Sequence, residues 1–251
     1  MRRVSWIALL AMVSCSLLSA ATPIVVMTPS FDYQTDYLAE MAEDLEARGH
    51  QLYFVGGSWS ASAYNALQPD LHNYQLVDFD ALSGLEYDGL LFAGAGWYDA
   101  TYLNQMQGQA MPGYVNVSFG AIGHAIDIGL PIVGIGSGVY PLIFSGLLPG
   151  GTQVAAYDCP DLYGSAQKQG LTPIVAKGDP PAGSQQYGAN AEVVVTQAFD
   201  SWIGTASVPD SWYDEDQGSD LWTHYGSTIA DVLGLFSDAV SASAATRATS
   251  P

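Results

Sequence analysis

The sequence predicts an α/β three-layer sandwich around a mostly parallel sheet. Short β-branched apolar runs recur along the chain, helical stretches separate them, and glycines stand where most of those helices should stop. With 251 residues, 49% of them apolar, the chain is long enough to bury one core of ordinary size.

Residues 1–21 read as a secretory signal peptide. Arg2 and Arg3 make a positive start, residues 6–13 are almost wholly apolar, and Ser19, Ala20 and Ala21 put small residues at a cleavage site. The expected product is exported, to the periplasm or the outside of the cell. The apolar run is short for a membrane span and no second long one follows, so no span is expected. An alternative treats Met12-Val13-Ser14-Cys15 as a lipobox, with Cys15 lipidated.

The folded domain is expected over 22–240. Pro23-Ile24-Val25-Val26-Met27 reads as a buried strand. Residues 34–48 have helical spacing: Tyr37, Leu38, Met41, Ala42 and Leu45 share a face opposite Glu40, Glu43, Asp44 and Glu46, and Gly49 ends the helix. Strands follow at 51–55, closed by Gly56-Gly57, and at 88–93, ending in Gly94-Ala95-Gly96. A helix is expected over 117–128, a fourth strand over 131–135, and a buried helix over 139–145 ended by Gly146. Residues 153–157 and 192–196 are strand-like, and 227–238 form a last amphipathic helix. The stretches 61–82, 98–115 and 202–222 read as long loops, and 241–251 as a flexible tail. The order of these runs predicts a flavodoxin-like three-layer sandwich with the first four strands adjacent and central.

Charge excludes some partners. There are 25 acidic and 6 basic residues, for a net charge of -19, yet charged residues are only 12% of the chain. Such a surface repels polyanions, so neither nucleic acid nor anionic membrane is an expected partner. The acidity comes from a shortage of Lys and Arg, unlike the dense carboxylate coat of a halophile. Cleavage would leave Cys159 as the one cysteine, which rules out an intramolecular disulfide. Asn116-Val117-Ser118 is a glycosylation sequon, meaningful only in a eukaryotic host.

The run Leu130-Pro-Ile-Val-Gly-Ile-Gly-Ser-Gly138, continuing through Gly146-Leu147-Leu148-Pro149-Gly150, resembles the ThiJ/PfpI superfamily. That superfamily has the class I glutamine amidotransferase-like fold. Arg48-Gly49-His50 and the strand from Asp88 to Gly94 resemble further pieces of it, in the same order. The resemblance implies a catalytic Cys at the turn after the fourth strand, but that position holds Gly136, which has no nucleophile. It implies an acid after the first strand, where Asp32 is the nearest carboxylate, and a His or Tyr at Tyr157. It further implies an oxyanion site near Gly94 and a homodimer.

Each candidate keeps an ordinary alternative. Ser137 is a substitute nucleophile at the turn, or a turn and helix-cap serine. Asp32 is a pocket acid or a solvated turn residue. Cys159 is a displaced catalytic thiol or an inert one. His50, His72, His124 and His224 show no ligand spacing, so no metal is expected. Around Asp210, Asp214, Asp216 and Asp220 the glycine falls at the wrong place for a calcium loop and no bidentate Glu closes it. Gly134, Gly136 and Gly138 lack the third glycine of a dinucleotide turn, so no cofactor is expected. Aromatics at Tyr33, Trp59, Trp97, Tyr98, Tyr140, Trp202, Trp212, Tyr213 and Trp222 either crown a ligand pocket or pack the loops.

The expected protein is thus an exported, non-catalytic ThiJ/PfpI-like binder of a small molecule or another protein. Its expected pocket is lined by Gly94, Gly96, Gly136, Ser137 and Tyr157. The alternative is a hydrolase or lyase that uses Ser137 or Cys159 with Asp32.

Overall fold

The computed structural model describes residues 21–29, 35–56, 73–93, 96–156, 160–175, 193–206 and 221–249. The first strand, β1 (Thr22–Met27), pairs in parallel with β2 (His50–Gly56) on one side and β4 (Gly89–Phe92) on the other. Beyond β2 lies β3 (Tyr74–Asp78); beyond β4 lie β5 (Ile132–Ile135), β9 (Ser201–Ala206) and β8 (Val193–Ala198). Only the β8–β9 pair is antiparallel among these seven strands. The four strands expected to be central are adjacent, in the order β2-β1-β4-β5. The chain runs outward from β1 through β2 to β3, then returns to build β4 and β5 on the other side. That reversal makes a switch point between β1 and β4, at whose carboxyl end such sheets bind ligands.

Both sheet faces are buried, which is why the strands are continuously apolar. Ile24 and Val26 face one layer and Val25 and Met27 the other. Helices α1 (Thr35–Ala47) and α5 (Leu221–Thr249) cover the first face through Leu38, Met41, Leu45, Ile229, Leu233 and Phe236. Helices α2 (Gly113–Asp127) and α3 (Val139–Phe144) cover the second through Ala121, Ile122, Ala125, Tyr140 and Leu142. Among the described residues, Ser227–Thr249 within α5 alone has the length and apolarity of a membrane span. Five residues of that stretch, Ile229, Val232, Leu233, Phe236 and Val240, are fully buried in the core.

Three expectations change. The presumed loop 61–82 contains β3 and a 3-10 helix, Phe79–Gly84. The presumed loop 98–115 contains a π-helical segment, Tyr98–Leu103, and the first turn of α2. The presumed loop 202–222 opens with β9, an interior strand joined to β8 by Phe199 and Asp200. Strand β6 (Gln153–Ala156), α4 (Pro160–Lys168) and β7 (Thr172–Val175) form a small unit whose two strands pair in parallel, apart from the main sheet. It is tied to that sheet by the Ala155 amide, which donates to Thr205 Oγ1 at 2.7 Å.

The expected flexible tail 241–251 is also corrected: α5 continues to Thr249. The small residues here favour helix through alanine, and the helix is anchored at intervals. Val240 is fully buried, Ser243 donates to the Gly129 carbonyl at 3.4 Å, and Arg247 pairs with Asp88. That pair is partly exposed and contributes at most about 1 kcal/mol.

Two contacts yield predictions. The first is at Gly138, where an added Cβ would stand 2.1 Å from the Phe92 carbonyl oxygen. Gly138→Ala should therefore cost about 3 kcal/mol or more, read as a lower urea midpoint. Gly123→Ala is the control, since its Cβ would meet only Leu147 at 3.5 Å; it should hold stability or raise it by up to about 1 kcal/mol. Equal losses in both would remove the packing argument.

The second is at His50, which is 2% exposed and bridges β2 to α5. Its Nδ1 lies 3.3 Å from the Thr22 carbonyl, and its Nε2 lies 2.7 Å from Ser237 Oγ. One tautomer satisfies both contacts, with Nδ1–H donating to Thr22 and Nε2 accepting from Ser237. Burial lowers the imidazole pKa below 6.5, so the folded state prefers the neutral ring. Unfolding then takes up a proton at mildly acidic pH, and this contribution is lost as pH falls below about 6.5. His50→Asn should show a smaller drop in urea midpoint between about pH 7 and 5 than the native chain. An identical slope would remove His50 from the pH response.

Candidate functional site

Strand β5 ends at Ile135 in extended conformation, with φ −123° and ψ 128°. Gly136 then turns to φ +59°, and one 3-10 turn, Gly136–Gly138, leads into α3. A left-handed residue between a central strand and a helix is the geometry that lifts a nucleophile above a sheet. Here glycine adopts it with no steric cost and brings no reacting atom. Every residue from 131 to 140 is buried. Ser137, one position on, is 1% exposed, so its hydroxyl lies inside the fold.

The neighbouring wall comes from the chain after β4. Gly96 has φ +91°, and its carbonyl accepts the Ala100 amide at 2.9 Å as the π-helical segment begins. Trp97 is fully buried, and its Nε1–H donates to the Ala93 carbonyl at 3.1 Å. The indole meets Phe92 edge-on, with ring centres 5.4 Å apart, and Tyr114 at 6.2 Å. Burial raises the Tyr114 phenol pKa, with the Asp99 carboxylate adding to the effect. Tyr98 stacks on Tyr102 at 5.2 Å and meets the Tyr140 ring edge-on at 5.5 Å. Tyr140 in turn stacks on Phe144 at 6.2 Å. These rings join α3 to the segment after β4. Trp97 and Tyr140, expected over a pocket or in loop packing, are 0% exposed and belong to the packing.

The fold brings Gly96, Gly136 and Ser137 to the carboxyl ends of the adjacent strands β4 and β5. Asp32, Gly94, Tyr157 and Cys159 lie outside the described residues. His50 is committed to the β2–α5 contact, and His124 lies on α2, exposed, with its ring edge-on to Tyr87 at 6.4 Å. Among the described residues, no cluster of three His, Cys, Asp or Glu side chains could hold a metal ion.

Thr205 has a positioning role that sequence reasoning missed. It pairs with Gly134 of β5, and its Oγ1 accepts the Ala155 amide and donates to the Val194 carbonyl at 3.4 Å. It thereby fixes β6, the strand that leads toward Tyr157. The available signal was a hairpin: two six-residue runs, Val193–Ala198 and Ser201–Ala206, flank the two-residue turn Phe199-Asp200.

A scan against protein-family models finds no match, and neither does a search of curated proteins. Solved structures do match. A ThiJ/PfpI family protein from Pseudomonas syringae is 16% identical, covering 87% of this chain and 75% of its own, with a TM-score of 0.42. An isoprenoid biosynthesis protein with an amidotransferase-like domain, from Ehrlichia chaffeensis, is 10% identical, covering 85% of this chain and 100% of its own, with a TM-score of 0.53. The second likeness shows the fold: this chain has an amidotransferase-like α/β fold, built on a mostly parallel seven-stranded sheet.

Proposed function

We propose that this chain is an exported, non-catalytic ThiJ/PfpI-like protein that acts by binding a small molecule or another protein. The carrying observation is Gly136, at φ +59° in the turn after the central strand β5. Covalent catalysis at that turn needs a nucleophilic side chain there, and glycine has none. The alternative, a hydrolase or lyase using Ser137, is disfavoured by the burial of that hydroxyl among the residues 131–140. The binding site in this reading lies at the carboxyl edge of the sheet by Gly96 and the Gly136-Ser137 turn, with the backbone of the turn facing the ligand; Gly94 and Tyr157, which the reading includes, lie outside the described residues. Export rests on Arg2, Arg3, the apolar stretch after them and the small residues Ser19, Ala20 and Ala21.

The chemistry is tested by thiol modification. The native protein should show no thiol-dependent turnover of p-nitrophenyl acetate, before or after iodoacetamide treatment. Gly136→Cys should gain a second alkylation site, one that reacts faster than Cys159 because the turn holds it beside a helix start. It should also lose about 1–2 kcal/mol of stability, since a Cβ is disfavoured at positive φ. Loss of a native activity on alkylation of Cys159, with the fold intact, would overturn the non-catalytic reading.

Export is tested by N-terminal sequencing of protein recovered outside the cytoplasm. A start at Ala21 or Thr22 is expected. An intact Met1 on a cytosolic product would overturn export, and lipid on Cys15 would replace soluble release with anchoring.

A further inference from the structure

A cavity lies away from the elbow. It has a volume of about 460 Å³ and opens between α2 and the segment from Phe79 to Tyr87. One wall is a helical stripe of α2: Val117, Gly120, Ala121 and His124, at the i, i+3, i+4 and i+7 spacing that shares a face. The other wall is the 3-10 helix, through Phe79, Asp80, Leu82 and Ser83, continued by Leu85 and Tyr87. Tyr87 precedes β4, and His124 stands near the end of α2, which leads into β5. The cavity thus reaches the amino edge of the sheet, while Gly136 sits at the carboxyl edge.

Its lining divides by chemistry. Phe79, Leu82 and Ala121 form a buried apolar floor, and Phe79 is fixed from behind by stacking on Tyr114 at 5.1 Å. Asp80, Ser83 and His124 are exposed at the mouth. Tyr87 stays a neutral phenol at neutral pH, because burial pushes its pKa up to about 12, and its oxygen can accept a hydrogen bond. Asp80 carries an acidic side chain, and among the described residues neither Lys nor Arg lines the cavity. The chain around it carries a net charge of -19, so cations are drawn toward this mouth and anions repelled. At Gly120 an added Cβ would meet nothing within 4 Å, so the helix leaves the wall open there.

We propose that this cavity is a binding site for a small organic cation with an apolar body, an aryl- or alkylammonium compound. The body rests on Phe79, Leu82, Val117 and Ala121. The ammonium group points to the mouth and pairs with the Asp80 carboxylate. Ser83, Tyr87 and His124 supply further polar contacts. The volume falls in the range of about 300–1,000 Å³ usual for small-molecule pockets, and an apolar lining with a few polar groups is their usual composition.

The test uses 2-phenylethylammonium as probe, with 2-phenylethanol as its neutral control and 3-phenylpropanoate as its anionic control. Binding is followed by calorimetry and by amide NMR shifts of residues 79–87 and 117–124. The cation should bind most tightly, and its shifts should map to those two segments. Asp80→Asn should weaken it by about threefold to fivefold and leave 2-phenylethanol unchanged. Gly120→Phe should abolish binding by filling the cavity; its melting temperature and untouched core amide shifts report whether it folds as the native chain does. Gly120→Ala, a milder filling of the same wall, should weaken binding without loss of stability. Equal binding of all three probes, an unchanged affinity in Asp80→Asn, or full affinity in a folded Gly120→Phe would each overturn the proposal. Shifts confined to residues 96–98 and 134–140 would overturn it too, placing the probe at the elbow instead.

Discussion

The contact of Gly138 with the end of β4 governs the functional half of this fold. The backbone after β5 must pass so close to the Phe92 carbonyl that a single Cβ would stand 2.1 Å from it. That approach sets the direction in which α3 leaves the sheet. It fixes Tyr140 against Tyr98 and thereby anchors the chain after β4. It also demands that the turn be made sharply, which the left-handed Gly136 provides. Three glycines within five residues, at 134, 136 and 138, are therefore a packing and geometry requirement.

Much of this was legible in the sequence because burial on both sheet faces leaves a plain trace. β1, β2, β4 and β5 are apolar almost without interruption, and their adjacency follows from the order of runs and helices. What stayed hidden obeys the same physics in reverse. β3 is an edge strand with half-exposed residues, so Tyr74–Asp78 mixes polar and apolar positions. β9 is interior, yet it contains Ser201, Gly204 and Thr205. Ser201 is buried because its hydroxyl donates to the Ala125 carbonyl at 3.2 Å, and Gly204 because the Trp202 ring fills the space a Cβ would need. Polar and small residues that satisfy tertiary contacts look like loop residues until the contacts are known. The end of α5 was hidden likewise, since Ser243 and Arg247 find their partners at Gly129 and Asp88, more than a hundred residues away.

The two edges of the sheet carry different chemistry. At the carboxyl edge the fold presents a turn shaped for covalent catalysis and a residue incapable of it. At the amino edge it leaves a cavity with an apolar floor and an acidic mouth. No single motif marks that cavity, because its walls come from a 3-10 helix and from the outer stripe of α2. The inner stripe of the same helix, with Val115, Ser118, Ile122 and Ala125, does the packing. Gly120 on the outer stripe is a poor helix former, and no neighbouring atom crowds the place a side chain would take.

Glycine at the left-handed turn after β5 has a simple energetic reading. A side chain held at positive φ is strained by about 1–2 kcal/mol, a cost tolerated where chemistry requires it. Glycine removes that strain while preserving the path of the backbone. The turn persists because β5, the Gly138 approach and the aromatic stack over α3 all depend on it. Glycine at residue 136 thus keeps the architecture at a lower internal cost than a side chain at that φ would. The geometry of the turn alone would suggest an enzyme; the identity of residue 136 separates the shape of the site from its chemistry.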